Sequence, residues 1–159
     1  MTIDIFEYLT HIDQERYRAV ILHAAPEKGL AITQFAQKIC VHSGGKYFDL
    51  LEFFIQNKDL GEHIDSFSPE KFRSLLAEQS RGCTFLCIDR GDFLLDTWRK
   101  AERQAFFRML DKQWDGFREG MRARLMFCLQ TSQEIESLQI TDSQGQPRIW
   151  RLSDFHDIA

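Results

Sequence analysis

The chain has 159 residues, 43% of them hydrophobic and 28% charged, with a formal net charge of −4. That is the size and balance of one ordinary domain able to bury a core without disulfides or metals, and it excludes a disordered chain. The acidic total excludes a surface given over entirely to nucleic acid while leaving room for a local basic patch, and no apolar run approaches the roughly 18–20 residues of a membrane span.

The opening segment MTIDIFEYLTHID carries acids and no long apolar run, so a secretory signal is not expected. Ile5, Phe6, Leu9 and Ile12 recur at helical spacing behind Thr2 or Asp4 as a cap. Arg18 to His23 reads as a first strand. Ala24 to Gly29 reads as a turn, because Pro26 and Gly29 resist regular structure. Leu30 to Val41 predicts a helix ended by Ser43-Gly-Gly-Lys46, and Tyr47 to Phe54 a second strand. Residues 55–67 are ambiguous. Ser68-Pro69-Glu70 starts a helix that runs to about Gln79: a serine cap, proline first, an acid in the first turn.

Cys83 to Ile88 predicts a third strand closed by Asp89. The longest helix is expected from Asp96 or Thr97 to Phe117, with an apolar stripe that includes Trp98, Ala105, Phe106, Leu110 and Trp114. Leu125 to Leu129 is a fourth strand followed by Gln130-Thr131-Ser132. A short helix over Ser132 to Leu138, a turn over Asp142 to Pro147 and a fifth strand over Arg148 to Leu152 complete the pattern. Nearly continuous apolar strands alternating with helices indicate an α/β fold of three layers. A mostly parallel five-stranded sheet would carry helices on both faces, in a single domain over residues 1–159.

In such a sheet the residues at the carboxyl end of each strand carry the chemistry. The turn after strand one stands where a P-loop cradles phosphates with backbone N–H groups and a helix N-terminus. Asp89 stands where a Walker B acid holds Mg²⁺, which makes it the metal ligand and the catalytic candidate. Gln130-Thr131-Ser132 stands where a sensor would meet the γ-phosphate. The motif GxxxxGK[ST] is degraded, however. Aligned on Gly29, the chain has Ala24 for the first glycine, Leu30 for the lysine and Ala31 for the hydroxyl. Lys28 precedes the glycine, and Thr33 lies two positions late. Lys28, Gly29, Thr33 and Gln130 are the candidate nucleotide-binding residues. Arg90 replaces the glutamate that polarises water, with Asp92 and Asp96 as nearby carboxylates. Losses of this kind cost orders of magnitude in rate, so weak or absent hydrolysis is expected.

The segments FLCIDRGDFLLDTW, the strand ending in Gln130-Thr131 and the closing RIWRLSDF resemble BrxF, the small P-loop proteins of type-3 BREX systems that defend bacteria against phage. The resemblance spans about Arg18 to Phe155. It implies an ASCE-type P-loop fold and a role inside a multi-protein, DNA-directed defence complex. The family's nucleotide residues carry over only at Gly29 and Asp89.

Arg99, Lys100, Arg103, Arg122 and Arg124 are the candidate contacts for DNA or an acidic partner. The competing reading is a solvated helix face whose cations pair with interleaved acids such as Glu102 and Asp111. The five histidines show no metal spacing, and His23 reads as a satisfied strand-end residue. Cys40, Cys83, Cys87 and Cys128 form no CxxC pair. They read as reduced thiols and hence as a sign of the cytoplasm. The adjacent pairs Phe53-Phe54 and Phe106-Phe107 suggest that some rings are exposed for a partner.

These residues support three functional expectations. The leading one is a subunit with little or no ATP hydrolysis that acts through defence-system proteins and DNA, as a homo-oligomer. The second is a competent ATP- and Mg²⁺-binding protein with a variant loop built on Lys28, Gly29, Thr33 and Asp89. The third is an α/β interaction module independent of nucleotide.

Overall fold

The computed structural model describes residues 2–114 and 122–158. In chain order the elements are α1 (Ile5–Ile12), β1 (Ala19–Ala24), α2 (Gly29–Ser43), β2 (Lys46–Asp49), α3 (Leu50–Gln56), α4 (Lys58–Glu62), α5 (Pro69–Gln79), β3 (Phe85–Asp89), α6 (Asp92–Thr97), α7 (Lys100–Arg108), β4 (Arg124–Gln130), α8 (Gln133–Glu136) and β5 (Ile149–Arg151). The five strands form one sheet in the order β2-β3-β4-β1-β5, and every pairing is parallel.

Each strand alternates its side chains between two cores, as the pleat requires. Val20, Leu22, Phe85, Cys87, Met126 and Cys128 pack against α1 and α2 through residues such as Leu9, Ile12, Phe35 and Ile39. Ala19, Ile21, Leu86, Ile88, Phe127 and Leu129 pack against α3, α5, α6, α7 and α8 through Leu50, Phe72, Leu94, Phe106 and Ile135. The result is an α/β sandwich of three layers. No described helix is long and apolar enough to cross a membrane.

The helix starts follow local chemistry. Asp4, rather than Thr2, caps α1 by accepting from the N–H groups of Phe6 and Glu7. Ser68 Oγ accepts from Lys71 N–H, with Pro69 in the first turn of α5. Gly44 ends α2 in the left-handed region at φ 72°, a backbone state cheap only for glycine. Gly45 then passes close to β3: a Cβ there would meet Phe85 Cδ2 at 2.7 Å.

Two expected elements are different in the structure. The second strand stops at Asp49, whose carboxylate accepts from Glu52 N–H and starts α3. Leu50 to Phe54 is therefore helical. The long helix is broken: α6 ends at Trp98, whose indole N–H donates to Phe67 O at 2.6 Å. The chain restarts as α7 and closes in a π turn over Met109–Gln113. The remainder of that expected helix, to Phe117, lies outside the described residues, as do Asp115, Arg118 and Glu119. Residues 55–67 resolve into the end of α3, then α4 and a 3-10 turn. Phe54, Phe106 and Phe107 are all buried in one core, and Phe53 is half-buried against it, so of these two pairs Phe53 alone keeps part of its ring exposed.

Candidate functional site

Parallel strands bring every strand-to-helix junction to one rim, and ligands bind where neighbouring strands send their connections to opposite faces. β1 leaves to α2 on one face, and its neighbour β4 leaves to α8 on the other. The crevice therefore opens between the carboxyl ends of β1 and β4.

The turn after β1 is compact. Pro26–Lys28 is one turn of 3-10 helix that runs directly into α2 at Gly29. Lys28 N–H donates to Ala25 O at 2.8 Å, and Gly29 N–H donates to Pro26 O. Pro26 has no N–H. An anion cradle needs several converging N–H groups, and two of this turn's, at Lys28 and Gly29, are used internally. Lys28 is exposed.

Asp89, at the end of β3, is 2% exposed. Its Oδ2 accepts from Thr33 Oγ1 and from Tyr47 OH, both at 2.6 Å, and its Oδ1 accepts from Arg90 N–H at 2.9 Å. Thr33 and Asp89 are thus brought together from α2 and β3. Tyr47 is a site residue that sequence reasoning missed; the pairing of Tyr47 with Cys87 across β2 and β3 puts the phenol beside the carboxylate. Burial and the Asp89 acceptor push the Tyr47 phenol well above its ordinary pKa, so it remains a donor.

Arg90 takes a left-handed backbone at φ 56°. Its guanidinium turns away from Asp89 to the carboxylate of Asp49, with Nε 2.9 and 3.0 Å from the two oxygens. Asp92 Oδ1 accepts from Gln130 N–H at 2.8 Å, tying the start of α6 to the end of β4. Burial raises the Asp92 carboxyl above its usual range, with the Gln130 N–H opposing that shift. Gln130 contributes this backbone contact, and its residue is exposed. Thr131 N–H donates to Ala24 O, and Thr131 Oγ1 lies 2.7 Å from His23 Nδ1. Burial, then Arg151, lowers the His23 pKa. His23, Ala24, Lys28, Thr131, Glu136 and Arg151 line a cavity of about 570 Å³ at this rim. Its Arg151 is paired with Glu136 at 2.9 Å.

The five candidate cations do not form one patch. Arg99 and Lys100 open α7 near the carboxyl rim, and Arg103 is bound to Glu134 Oε1 at 2.8 Å and to Trp98 O at 2.7 Å. Arg122 and Arg124 stand at the opposite rim, where β4 begins; Arg124 donates to Leu9 O at 3.0 Å. Asp96 is exposed on α6. Cys40, Cys87 and Cys128 are buried thiols, with the Cys87 and Cys128 sulfurs 3.5 Å apart. Among the described residues no three His, Cys, Asp or Glu side chains come together as a metal site. No protein-family model, curated protein or solved structure matches the chain.

Proposed function

We propose that this chain is a P-loop-type domain whose nucleotide site has become a structural joint, and that it acts as a binding subunit with little or no ATP hydrolysis. The observation that carries the reading is the double hydroxyl clamp on Asp89. In a working site the motif hydroxyl and the strand-end acid share a Mg²⁺. Here Thr33 and Tyr47 both donate to the same Asp89 oxygen, Oδ2, and compete with any cation for it.

The Thr33–Asp89 contact also supplies a register that alignment on Gly29 misses by two residues. Counted back from Thr33, GxxxxGK[ST] falls on Pro26, Ala31, Ile32 and Thr33. The lysine position is then Ile32, which is buried against the sheet. Arg90, held by Asp49, stands where a water-orienting glutamate belongs. These residues do not fit a bound ATP–Mg²⁺, so no phosphoryl-transfer step is assigned to them. The setting in a BREX-type defence complex, with other proteins of that system as partners, rests on the sequence resemblance.

Calorimetric titration with ATP and Mg²⁺ tests the reading. No heat of binding is expected at millimolar nucleotide. Robust ATPase activity abolished by Asp89→Ala would overturn it, and binding lost in Lys28→Ala would favour a variant loop instead.

A further inference from the structure

We infer that the cavity at the carboxyl ends of β1 and β5 binds a carboxylate, held by the His23 imidazole and the Arg151 guanidinium. His23 is 4% exposed. Its ring is fixed from one side, with Nδ1 2.7 Å from Thr131 Oγ1. The other ring nitrogen, Nε2, has no hydrogen-bond partner among the described residues. It is not sealed in the core either. Among those residues the sealed side-chain polar atoms without a partner are the indole nitrogens of Trp114 and Trp150. His23 forms part of the wall of the cavity of about 570 Å³, many times the roughly 30 Å³ share of one water. A polar atom so nearly buried is costly to leave unpaired, so it is matched to what fills that space.

The surroundings select the ligand. Strand register sets His23 directly opposite Arg151, so the two side chains leave the same face of the sheet. Arg151 Nη2 donates to Glu136 Oε2 at 2.9 Å, and its other side-chain N–H groups have no partner among the described residues. Burial lowers the His23 pKa most, and the Arg151 charge lowers it further. A charge that disfavours a proton on His23 favours an anion beside it. α2 adds the positive end of its dipole: it reaches the cavity at Lys28 and Ala31, and its amino end has no side-chain cap.

The formal side-chain charges of the wall cancel, with Lys28 and Arg151 against Glu136 and Asp157. That balance admits one negative charge and opposes the second charge of a phosphate. Ala24, Ala25 and Leu152 supply apolar wall for the body of an organic acid. With the Thr131 hydroxyl donating to Nδ1, Nε2 carries the ring proton and donates to one carboxylate oxygen while Arg151 donates to the other. Asp89 and its hydroxyl clamp take no part, so the inference stands whatever an ATP–Mg²⁺ titration shows.

The test is an NMR titration of the nitrogen-15-labelled full chain, read at the imidazole nitrogens, with His23 assigned by its loss in His23→Gln. Sodium benzoate is the probe, and benzamide and inorganic phosphate are the comparisons. Benzoate should shift the His23 Nε2 resonance saturably in the millimolar range, as suits so small a ligand, and the other two should bind more weakly. Arg151→Gln should weaken benzoate at least ~10-fold, the loss of a charge-assisted hydrogen bond. Thermal melts report folding. If His23→Gln is unfolded, Arg151→Gln decides, because that side chain is 60% exposed. A tetra-alanine peptide, tested beside its C-terminal amide, separates the sources of the carboxylate. Tighter binding of the peptide acid than of benzoate assigns the site to a chain end, and weaker binding assigns it to a small free acid. No saturable shift at His23, phosphate or benzamide binding as tightly as benzoate, equal shifts at all five histidines, or unchanged affinity in Arg151→Gln would each overturn the inference.

Discussion

Replacing Asp89 with alanine separates a structural joint from a dormant metal ligand. The carboxylate accepts three hydrogen bonds, two of them from hydroxyls at 2.6 Å. Hydrogen bonds to a charged group contribute about 1.5–3 kcal/mol each, so the gross loss is roughly 4–9 kcal/mol. Against it stands the several kcal/mol spent burying the charge, which the variant no longer incurs. The net expected loss is about 2–4 kcal/mol, a fall in Tm of roughly 5–15 °C for a domain of this length. Tyr47→Phe and the double variant complete a cycle whose coupling should lie at about 1–3 kcal/mol. Calorimetric melts at neutral pH, with and without Mg²⁺, read all of these. An Asp89→Ala protein as stable as the parent or more so, together with Mg²⁺-dependent stabilisation of the parent, would refute the reasoning. That is the behaviour of a carboxylate held unpaired for a cation.

Arg148 is 1% exposed and donates to the carbonyls of Thr141, Ala19, Leu110 and Asp111. Arg148→Met leaves those acceptors without a donor, and urea unfolding should show a loss of about 3–5 kcal/mol. Burial pushes the Asp142 carboxyl up, but His11 and the N–H groups of Gln146 and Gln144 hold it lower, for a net fall below its ordinary value. A depressed folded pKa gives stability that is complete above the unfolded value of about 3.9 and is lost as pH falls through the folded one. Asp142→Asn should therefore flatten the acid limb of a stability–pH curve below about pH 4. Gly45→Ala drives a methyl to 2.7 Å from the Phe85 ring and 3.0 Å from its carbonyl oxygen, and should cost about 1–3 kcal/mol by thermal melt. Arg90→Gly removes left-handed strain of about 1 kcal/mol while losing a partly exposed ion pair of similar worth, so its Cm should move little.

Continuous apolar runs made β1, β3 and β4 legible in the sequence, and Ser68-Pro69 made α5 legible, because those signals are local. Leu50 to Phe54 was not legible: its apolar run fits a strand or a helix, and the cap at Asp49 decides between them. The break at Trp98 depends on a carbonyl at Phe67, on a different element. At the site, Asp89 was visible as the acid that closes an apolar strand, whereas its partner Tyr47 lies 42 residues away and reaches it only through strand pairing. The contact of Thr33 with Asp89, 56 residues apart, was hidden for the same reason. Arg99 and Arg122 look like one patch along the chain because a charge list has no ends, whereas a parallel sheet has two.

The placement of β1 has a consequence for synthesis. This buried strand pairs only with β4 and β5, beginning with Ala19 against Leu125. On the order of 100 residues must leave the ribosome after β1 before it has a neighbour, which takes about 5–20 s at ordinary elongation rates. Throughout that interval the run AVIL has no sheet to join. The nascent chain thus depends on chaperone cover, or on α1 and α2 folding over the strand early, and slowing translation before residue 124 should lower the soluble yield.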